Sequence, residues 1–194
     1  MPSWPCARRG RFASSPCSVQ SVMTRALLAL GSNQGDRYAY LRAAVEHLGE
    51  SVLLTSGVYE TPPWGDAAQP PYLNAVVLAV DSAAAPSDWL DRARAGEAAA
   101  GRVRDPDRRF GPRTLDVDVI MVWRPDDTPV LSDDPELTLP HPRAHLRAFV
   151  LKPWLDIQPY ARLPGHGRVT DLLTEPGLSA DVAAMTPRPV LELS

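Results

Sequence analysis

Cysteine is nearly absent from this sequence. Of 194 residues only Cys6 and Cys17 are cysteines, and both precede Met23. A disulfide framework or a thiolate metal site needs several cysteines, so the chain after Met23 can contain neither. This usage fits a reducing compartment, and we expect a cytoplasmic protein.

Lysine and long apolar runs are also scarce. Lys152 is the only lysine, so arginine carries nearly all of the positive charge. No apolar run reaches the roughly 20 residues that a membrane-spanning helix needs, and we expect no membrane partner. The net charge of −3 gives no reason to expect general affinity for nucleic acid.

Common nucleotide-binding and nucleophile motifs are missing too. No GxxxxGK[ST] loop occurs, which excludes a P-loop enzyme. No GxGxxG follows a predicted strand, which argues against a dinucleotide-binding enzyme. No Ser-His-Asp or Cys-His order stands out.

Composition divides the chain into three parts. Residues 1–23 contain several arginines, serines and prolines but no acidic residue, and they lack the apolar stretch of a secretory signal. Such a segment can resemble an organelle transit peptide. We favour a disordered extension, or an over-long reading frame whose true start is Met23. Residues 24–175 are expected to form a single domain, and residues 176–194 a C-terminal tail with few signals for regular structure.

Hydrophobic periodicity predicts the order β-α-β-β-α-β. This order is typical of a ferredoxin-like α/β (α+β) fold, in which helices pack on one face of an antiparallel sheet. The other face is left for the remaining chain or for ligands. Two further short helices are expected, the first interrupted at Pro153. The predicted strands cover 26–30, 52–59, 72–80 and the run after 115, and the helices cover 37–48, 86–100, 144–155 and 169–173.

The strongest functional signal is the segment GPRTLDVDVIMV at residues 111–122. A Gly-Pro turn leads into an apolar strand that two aspartates interrupt. Side chains alternate along a strand, so Asp116 and Asp118 project from the same face. Neighbouring carboxylates raise each other's pKa unless a cation compensates them, and Mg²⁺ suits such a pair because it prefers oxygen ligands.

Arginines cluster just before this pair. Guanidinium groups are planar forks that match phosphate oxygens. An isolated aspartate pair can be an ordinary ion-paired strand edge, and an arginine run can be a solvated loop. Because the two features are adjacent, we predict a site for a Mg²⁺-nucleotide. The arginines are Arg102, Arg104, Arg108, Arg109 and Arg113.

Several segments in one order resemble the 6-hydroxymethyl-7,8-dihydropterin pyrophosphokinase family. The resemblance covers roughly residues 25–165, and its GPRTLDxD block is highly specific. The matching segments are GSN at 31–33, TPPxG at 61–65, YLNA at 72–75, ExxxGRxR at 97–104, GPRTLDxD at 111–118 and PH at 140–141.

The resemblance implies a ferredoxin-like core and a reaction of folate biosynthesis. In that reaction the β,γ-pyrophosphoryl group of ATP is transferred to the hydroxymethyl oxygen of the pterin, and AMP is released. By the same resemblance, Asp116 and Asp118 would hold two Mg²⁺ ions, and Arg102 and Arg113 would neutralise charge on the moving group. Asp118 would also orient the alcohol or accept its proton. A monomer acting on small molecules is expected.

Two binding regions follow from the resemblance. Tyr72 and Phe149 would stack on the two faces of the pterin ring, and Arg147 would line a closing loop. The implied ATP-binding residues are Glu97, Arg102, Arg104, Arg113, Val119, Thr138 and His141. The implied pterin-binding residues are Asn33, Thr61, Pro63, Trp64, Gly65, Tyr72, Asn74, Arg147 and Phe149.

The sequence departs from the family pattern at a few positions around the nucleotide. Arg94, Phe110, Glu136 and Pro142 stand where the family often has glutamine, tryptophan, arginine and tyrosine. These departures concern nucleotide affinity and loop closure.

Two other functions remain open at this point. A nucleotidyltransferase also uses paired carboxylates, but it attacks the α-phosphorus and releases pyrophosphate, whereas this chain should release AMP. A non-catalytic ferredoxin-like binding module is the other alternative. Retention of Asp116, Asp118, Arg102 and Arg113 argues against that module.

Overall fold

An antiparallel β-sheet organises the computed structural model, which describes residues 23–64, 68–102 and 111–193. Strands of the main sheet lie in the order β10-β3-β4-β1-β5, and β2 also pairs with β4. The strands are β1 (Thr24–Ser32), β2 (Val52–Thr55), β3 (Tyr59–Thr61), β4 (Tyr72–Asp81), β5 (Asp116–Trp123), β6 (Ser132–Asp133), β7 (Thr138–Leu139), β8 (Arg162–Leu163), β9 (Gly167–Arg168) and β10 (Thr186–Pro187). The helices are α1 (Arg37–Leu48), α2 (Pro86–Ala99), α3 (Ala148–Ile157), α4 (Val169–Leu172) and α5 (Pro176–Ala183), with 3₁₀ turns at Gly49–Ser51 and Ala144–Leu146.

Helices cover both faces of the sheet. In β1 alternate side chains enter different cores: Leu28 packs with α1 and α2, and Leu27 packs with α3, α4 and α5. This alternation explains why β1 is apolar along almost its whole length. The predicted mixed α/β fold with helices on an antiparallel sheet is confirmed, and the remaining chain occupies the second face.

The two core helices begin as their sequences predict. The Asp36 side chain accepts a hydrogen bond from the Ala39 backbone N–H at 3.0 Å, which caps α1. Pro86 occupies the first turn of α2, and Asp88 accepts the Ala85 N–H at 2.7 Å. Neither helix is long and apolar enough to cross a membrane, nor is any other helix in the described residues.

The strand predicted over residues 52–59 is wrong as a continuous element. It is divided into β2 and β3 at Ser56. The Ser56 hydroxyl oxygen accepts the Val76 N–H at 2.9 Å, so a side chain replaces the backbone carbonyl that a regular ladder would use. Leu53 and Leu54, in β2, are 53% and 44% exposed, so this short strand contributes little to the core.

Two expectations about the C-terminal half are also corrected. Helix α3 continues through Pro153 to Ile157, because the buried side chains of Leu151 and Trp154 anchor it on both sides of the proline. Beyond Pro176 the chain is regular, since α5 forms and β10 pairs with β3. The division of the chain into domains stays a prediction.

Candidate active site

The two aspartates of β5 lie at the end of the sheet where β1 finishes. Asp118 is opposite Ala29, and Asp116 is opposite Gly31. Both line one cavity of about 570 Å³, as expected for residues that share a strand face. Gly31 also lines this cavity, and a side chain at its position would crowd it. A Cβ there would lie 3.1 Å from Asn74 Oδ1 and 4.0 Å from Asp116 Cβ.

Guanidinium groups from separate segments compensate the aspartates. Arg113 donates to Asp116 at 2.8 Å, and Arg102 also donates to Asp116. Arg147 donates to Asp118 at 2.5 Å. Burial alone would raise the pKa of Asp116, but the two neighbouring arginines outweigh it and hold that pKa below its usual range. Asp116 is therefore ionised at neutral pH.

Glu97 positions one of these arginines. This residue of α2 is 6% exposed, and its carboxylate accepts both the Arg102 guanidinium and, at 3.0 Å, the Val117 N–H. The interactions connect α2 to β5 and aim Arg102 at Asp116. Glu97 lines the cavity, and its implied contact with ATP stays a prediction.

Asn33 is not among the residues that line the cavity, but it bonds to a residue that does. Its side-chain oxygen accepts the Arg113 N–H at 2.8 Å, and its amide donates to Gln69 Oε1 at 3.0 Å. The Tyr72 hydroxyl donates to the same Gln69 oxygen at 3.1 Å. Sequence reasoning missed Gln69, which is buried; the only available signal was a polar residue directly before Pro70 and Pro71.

An aromatic and polar wall forms the other part of the cavity. Trp64 and Phe149 meet edge to face, with ring centroids 6.4 Å apart. Asn74 donates to the Thr61 hydroxyl at 2.8 Å. Tyr72, Asn74, Thr61, Trp64 and Phe149 all line the cavity.

The position of His141 is fixed by its backbone. Its N–H donates to the Ile120 carbonyl at 2.8 Å, at the point where the β1–β5 register shifts. The imidazole Nδ1 accepts the Arg143 N–H at 3.1 Å. Burial lowers the pKa of His141, and Arg147 and Arg143 lower it further against the opposing effect of Asp118. The ring is therefore neutral at pH 7.

The other predicted site residues divide into three groups. Val119 and Thr138 line the cavity, as predicted. Pro63 does not line it, but the neighbouring Pro62 does. Asn33 does not line the cavity and instead bonds to Arg113, which does. The remaining predicted positions, Gly65 and Arg104, lie outside the described residues, as do Arg108, Arg109 and Phe110.

Two of the departures from the family pattern contact each other. Arg94 of α2 and Glu136 form an ion pair of 3.1 Å, and both line the cavity. The Arg94 and Glu136 side chains are 49% and 69% exposed, so the pair contributes little to stability. The Glu136 carboxylate offsets the positive charge of Arg94 where this pair lines the cavity.

The aspartate pair offers oxygen ligands of the kind that Mg²⁺ prefers. The described residues contain no group of three or more metal-binding side chains. Mg²⁺ in nucleotide-dependent enzymes commonly takes only one or two carboxylates and completes its shell with water and phosphate oxygens. The donor set of Asp116 and Asp118 therefore fits Mg²⁺ that arrives with a phosphate ligand.

Paired carboxylates, arginines and an aromatic wall around one cavity are typical of an enzyme that transfers phosphate groups to a flat substrate. The chain belongs to the 7,8-dihydro-6-hydroxymethylpterin-pyrophosphokinase (HPPK) family, whose model matches residues 27–159. It is therefore an enzyme of the diphosphokinase class.

Bacterial relatives share much of the sequence. Three proteins named 2-amino-4-hydroxy-6-hydroxymethyldihydropteridine pyrophosphokinase illustrate this. The Mycobacterium tuberculosis H37Rv protein is 48% identical over 160 residues, which cover 79% of this chain and 84% of the relative. The Mycobacterium leprae protein is 49% identical over 151 residues (75% and 78%). The Pseudomonas aeruginosa protein is 40% identical over 156 residues (78% and 91%).

Solved structures of the same fold are more distant. A Plasmodium falciparum HPPK-DHPS triple mutant with STZ-DHP superposes with a TM-score of 0.62 at 13% identity. The match covers 88% of this chain and 47% of that chain, so this chain spans about half of the length of that structure. At this identity the similarity shows the fold alone.

Proposed function

We propose that this protein transfers the β,γ-pyrophosphoryl group of ATP to the hydroxymethyl oxygen of 6-hydroxymethyl-7,8-dihydropterin. The products are AMP and the pterin pyrophosphate, an intermediate of folate biosynthesis. Family membership and the names of the relatives support this reaction. The observation that carries the proposal is the pairing of Asp116 and Asp118 with three guanidinium groups inside one cavity.

Charge on the transferred group determines what the protein must supply. Phosphoryl-type transfer needs mainly precise positioning and stabilisation of negative charge. Arg102 and Arg113 are held beside Asp116 by other protein contacts, so they need little reorganisation to meet phosphate oxygens. We assign them to the moving pyrophosphoryl group.

Asp116 and Asp118 are the residues that would hold Mg²⁺, two ions by the family pattern. When bound, Mg²⁺ neutralises charge on phosphate oxygens and lowers the barrier to transfer. Asp118 is more exposed to the cavity than Asp116, with side-chain exposures of 31% and 25%. We assign to its carboxylate the role of orienting the pterin alcohol and accepting its proton.

The pterin would lie against the aromatic and polar wall. A flat heterocycle stacks well on aromatic rings, and Tyr72 and Phe149 are assigned to its two faces. The Asn74 amide and the Thr61 hydroxyl, already joined at 2.8 Å, can exchange that bond for contacts with ring nitrogen and oxygen atoms. Glu97, Val119, Thr138 and His141 are assigned to ATP.

Compartment, oligomeric state and partners are part of the proposed function. We place it in the cytoplasm as a monomer that acts on two small molecules, without nucleic acid or membrane as a partner. The scarcity of cysteine supports that compartment. Size-exclusion chromatography with light scattering tests the oligomeric state.

The reaction is tested by incubating the full chain with ATP, Mg²⁺ and the hydroxymethyl pterin. AMP and a pterin heavier by one pyrophosphoryl group should appear in equal amounts. Reactions that lack either substrate, or that contain excess chelator, serve as controls and should give neither product. Formation of ADP in place of AMP would contradict the proposed transfer.

A further inference from the structure

Arg147 has unusual surroundings for a surface-loop arginine. It lies between the 3₁₀ turn at Ala144–Leu146 and α3, and it is only 7% exposed. Its guanidinium carbon is 5.7 Å from the ring centre of Phe149 and 5.8 Å from that of Trp64. One terminal nitrogen donates to Asp118 Oδ2 at 2.5 Å. A buried cation thus bridges the aromatic wall and a predicted metal-binding carboxylate.

The hydrogen bonds of Arg147 are incomplete. Its Nε is buried and has no hydrogen-bond partner among the described residues. By contrast, Arg102 also donates to the Glu97 carboxylate and to the Leu115 carbonyl, and Arg113 also donates to the Gly111 carbonyl. Within the described part of the chain, Asp118 is the one side-chain acceptor for Arg147. Arg147 can therefore leave its carboxylate at a lower cost than the other two arginines.

A divalent cation and a guanidinium compete for one carboxylate oxygen, because like charges at contact distance repel strongly in a partly buried site. Aromatic faces can keep a displaced guanidinium nearby through cation–π contacts. Phosphate oxygens then offer that guanidinium, including its unpaired Nε, new acceptors in fork geometry.

We propose that Arg147 is an exchangeable counter-cation for Asp118. It neutralises Asp118 before substrates bind, and a divalent metal must displace it. Because phosphate offers the released arginine a new partner, metal and nucleotide bind cooperatively, while free metal binds weakly. This inference rests on the proposed function, since it takes Asp116 and Asp118 as the metal-binding pair.

The test measures Mn²⁺ binding to the full chain by electron paramagnetic resonance, without nucleotide or pterin. Arg147→Met keeps much of the packing against Trp64 and Phe149 but removes the charge. It should bind Mn²⁺ at least tenfold more tightly than the wild type. Arg147→Lys keeps a cation that can reach Asp118. Its Mn²⁺ affinity should therefore stay within threefold of the wild-type value.

Arg143→Met is the matched control. The Arg143 guanidinium also lies 5.8 Å from the Trp64 ring centre and lines the same cavity, whereas the hydrogen bond to Asp118 belongs to Arg147. This variant should tighten Mn²⁺ binding by less than threefold. Equal tightening in both variants would show a general charge effect and would overturn the proposal, as would unchanged or weaker binding in Arg147→Met.

A second variant separates exchange from misfolding. In an Asp118→Asn background, Arg147→Met should change Mn²⁺ affinity by less than twofold, because the carboxylate for which Arg147 and the metal compete is gone. A persistent tenfold effect would contradict direct competition. Circular dichroism of each variant establishes that it is folded before titration.

Adding a non-hydrolysable ATP analogue measures the cooperativity. The analogue should tighten Mn²⁺ binding more in the wild type than in Arg147→Met, and an equal gain would overturn the coupling. None of these titrations uses the transfer reaction. Tighter Mn²⁺ binding with no AMP formation would refute the proposed function alone, while AMP formation with an unresponsive Arg147→Met would refute this inference alone.

Discussion

Asn33 and Arg113 are 80 residues apart in the chain but are joined by two hydrogen bonds. The Asn33 N–H donates to the Arg113 carbonyl at 3.2 Å, and the Arg113 N–H donates to Asn33 Oδ1 at 2.8 Å. These bonds connect the end of β1 to the segment that precedes β5. They place Arg113 beside Asp116 before any substrate is present.

Asn33→Ala should destabilise the fold by about 1–3 kcal/mol, because it leaves the partly buried Arg113 N–H without a side-chain acceptor. Ser32→Ala is the matched control, since the buried Ser32 hydroxyl has no hydrogen-bond partner in the described residues. That change should cost less than about 0.5 kcal/mol. Urea unfolding measures both free energies, and similar losses in the two variants would contradict this role for Asn33.

Asp116→Asn and Asp118→Asn should each reduce turnover at least about a hundredfold, because metal-bridged charge stabilisation contributes several kcal/mol. Loss of the Asp116 charge removes the carboxylate that pairs with Arg113 and one of the two that pair with Arg102. We expect a lower unfolding midpoint in urea for this variant. Full Mg²⁺-dependent activity in either variant would contradict the metal assignment.

Arg102→Ala and Arg113→Ala should lower kcat more than they weaken ATP binding, because their main contacts form in the transition state. A loss on the order of 3 kcal/mol in transition-state stabilisation is expected for each. Lysine should rescue only partly, since it keeps the charge but not the fork. Calorimetry with a non-hydrolysable analogue, beside steady-state kinetics, measures both quantities. If ATP affinity falls in proportion to activity, these arginines bind ATP equally well before and during transfer, which would contradict the prediction.

His141→Ala should behave differently from the arginine variants, with weaker ATP binding and a smaller effect on kcat. Its partly buried imidazole has a pKa below the usual value of about 6.5. The folded protein thus binds this proton more weakly than the unfolded chain. The free energy of unfolding is unaffected by this group above about pH 6.5 and declines as pH falls through the folded pKa. An NMR titration of the ring with a midpoint above 7 would contradict this.

Much of the fold could be predicted from local patterns. Apolar runs identified β1, β4 and β5, and the helices predicted over 37–48 and 86–100 begin where α1 and α2 begin. These signals are short-range, so they survive without tertiary information. The break at Ser56 could not be predicted, because it depends on a hydroxyl that bonds Val76 on a neighbouring strand.

In the candidate site, too, local sequence features were predictable and long-range contacts were not. Two aspartates two residues apart on a strand necessarily share a face, so their common cavity was predictable. The partners of the pair were less so. Arg147 lies 29 residues beyond Asp118, and only the tertiary structure brings it to that carboxylate. The family resemblance implied a substrate-binding role for Arg147, which stays a prediction, but gave no indication of this ion pair.

In the proposed reaction a pyrophosphoryl group moves intact from ATP to the pterin. Parallel reactions with ATP labelled at the α-phosphorus and at the γ-phosphorus, followed by separation of the products, follow this group directly. We expect γ-label in the pterin product and α-label in AMP. Label from the α-phosphorus in the pterin product, or ADP carrying the α-label, would contradict this reaction.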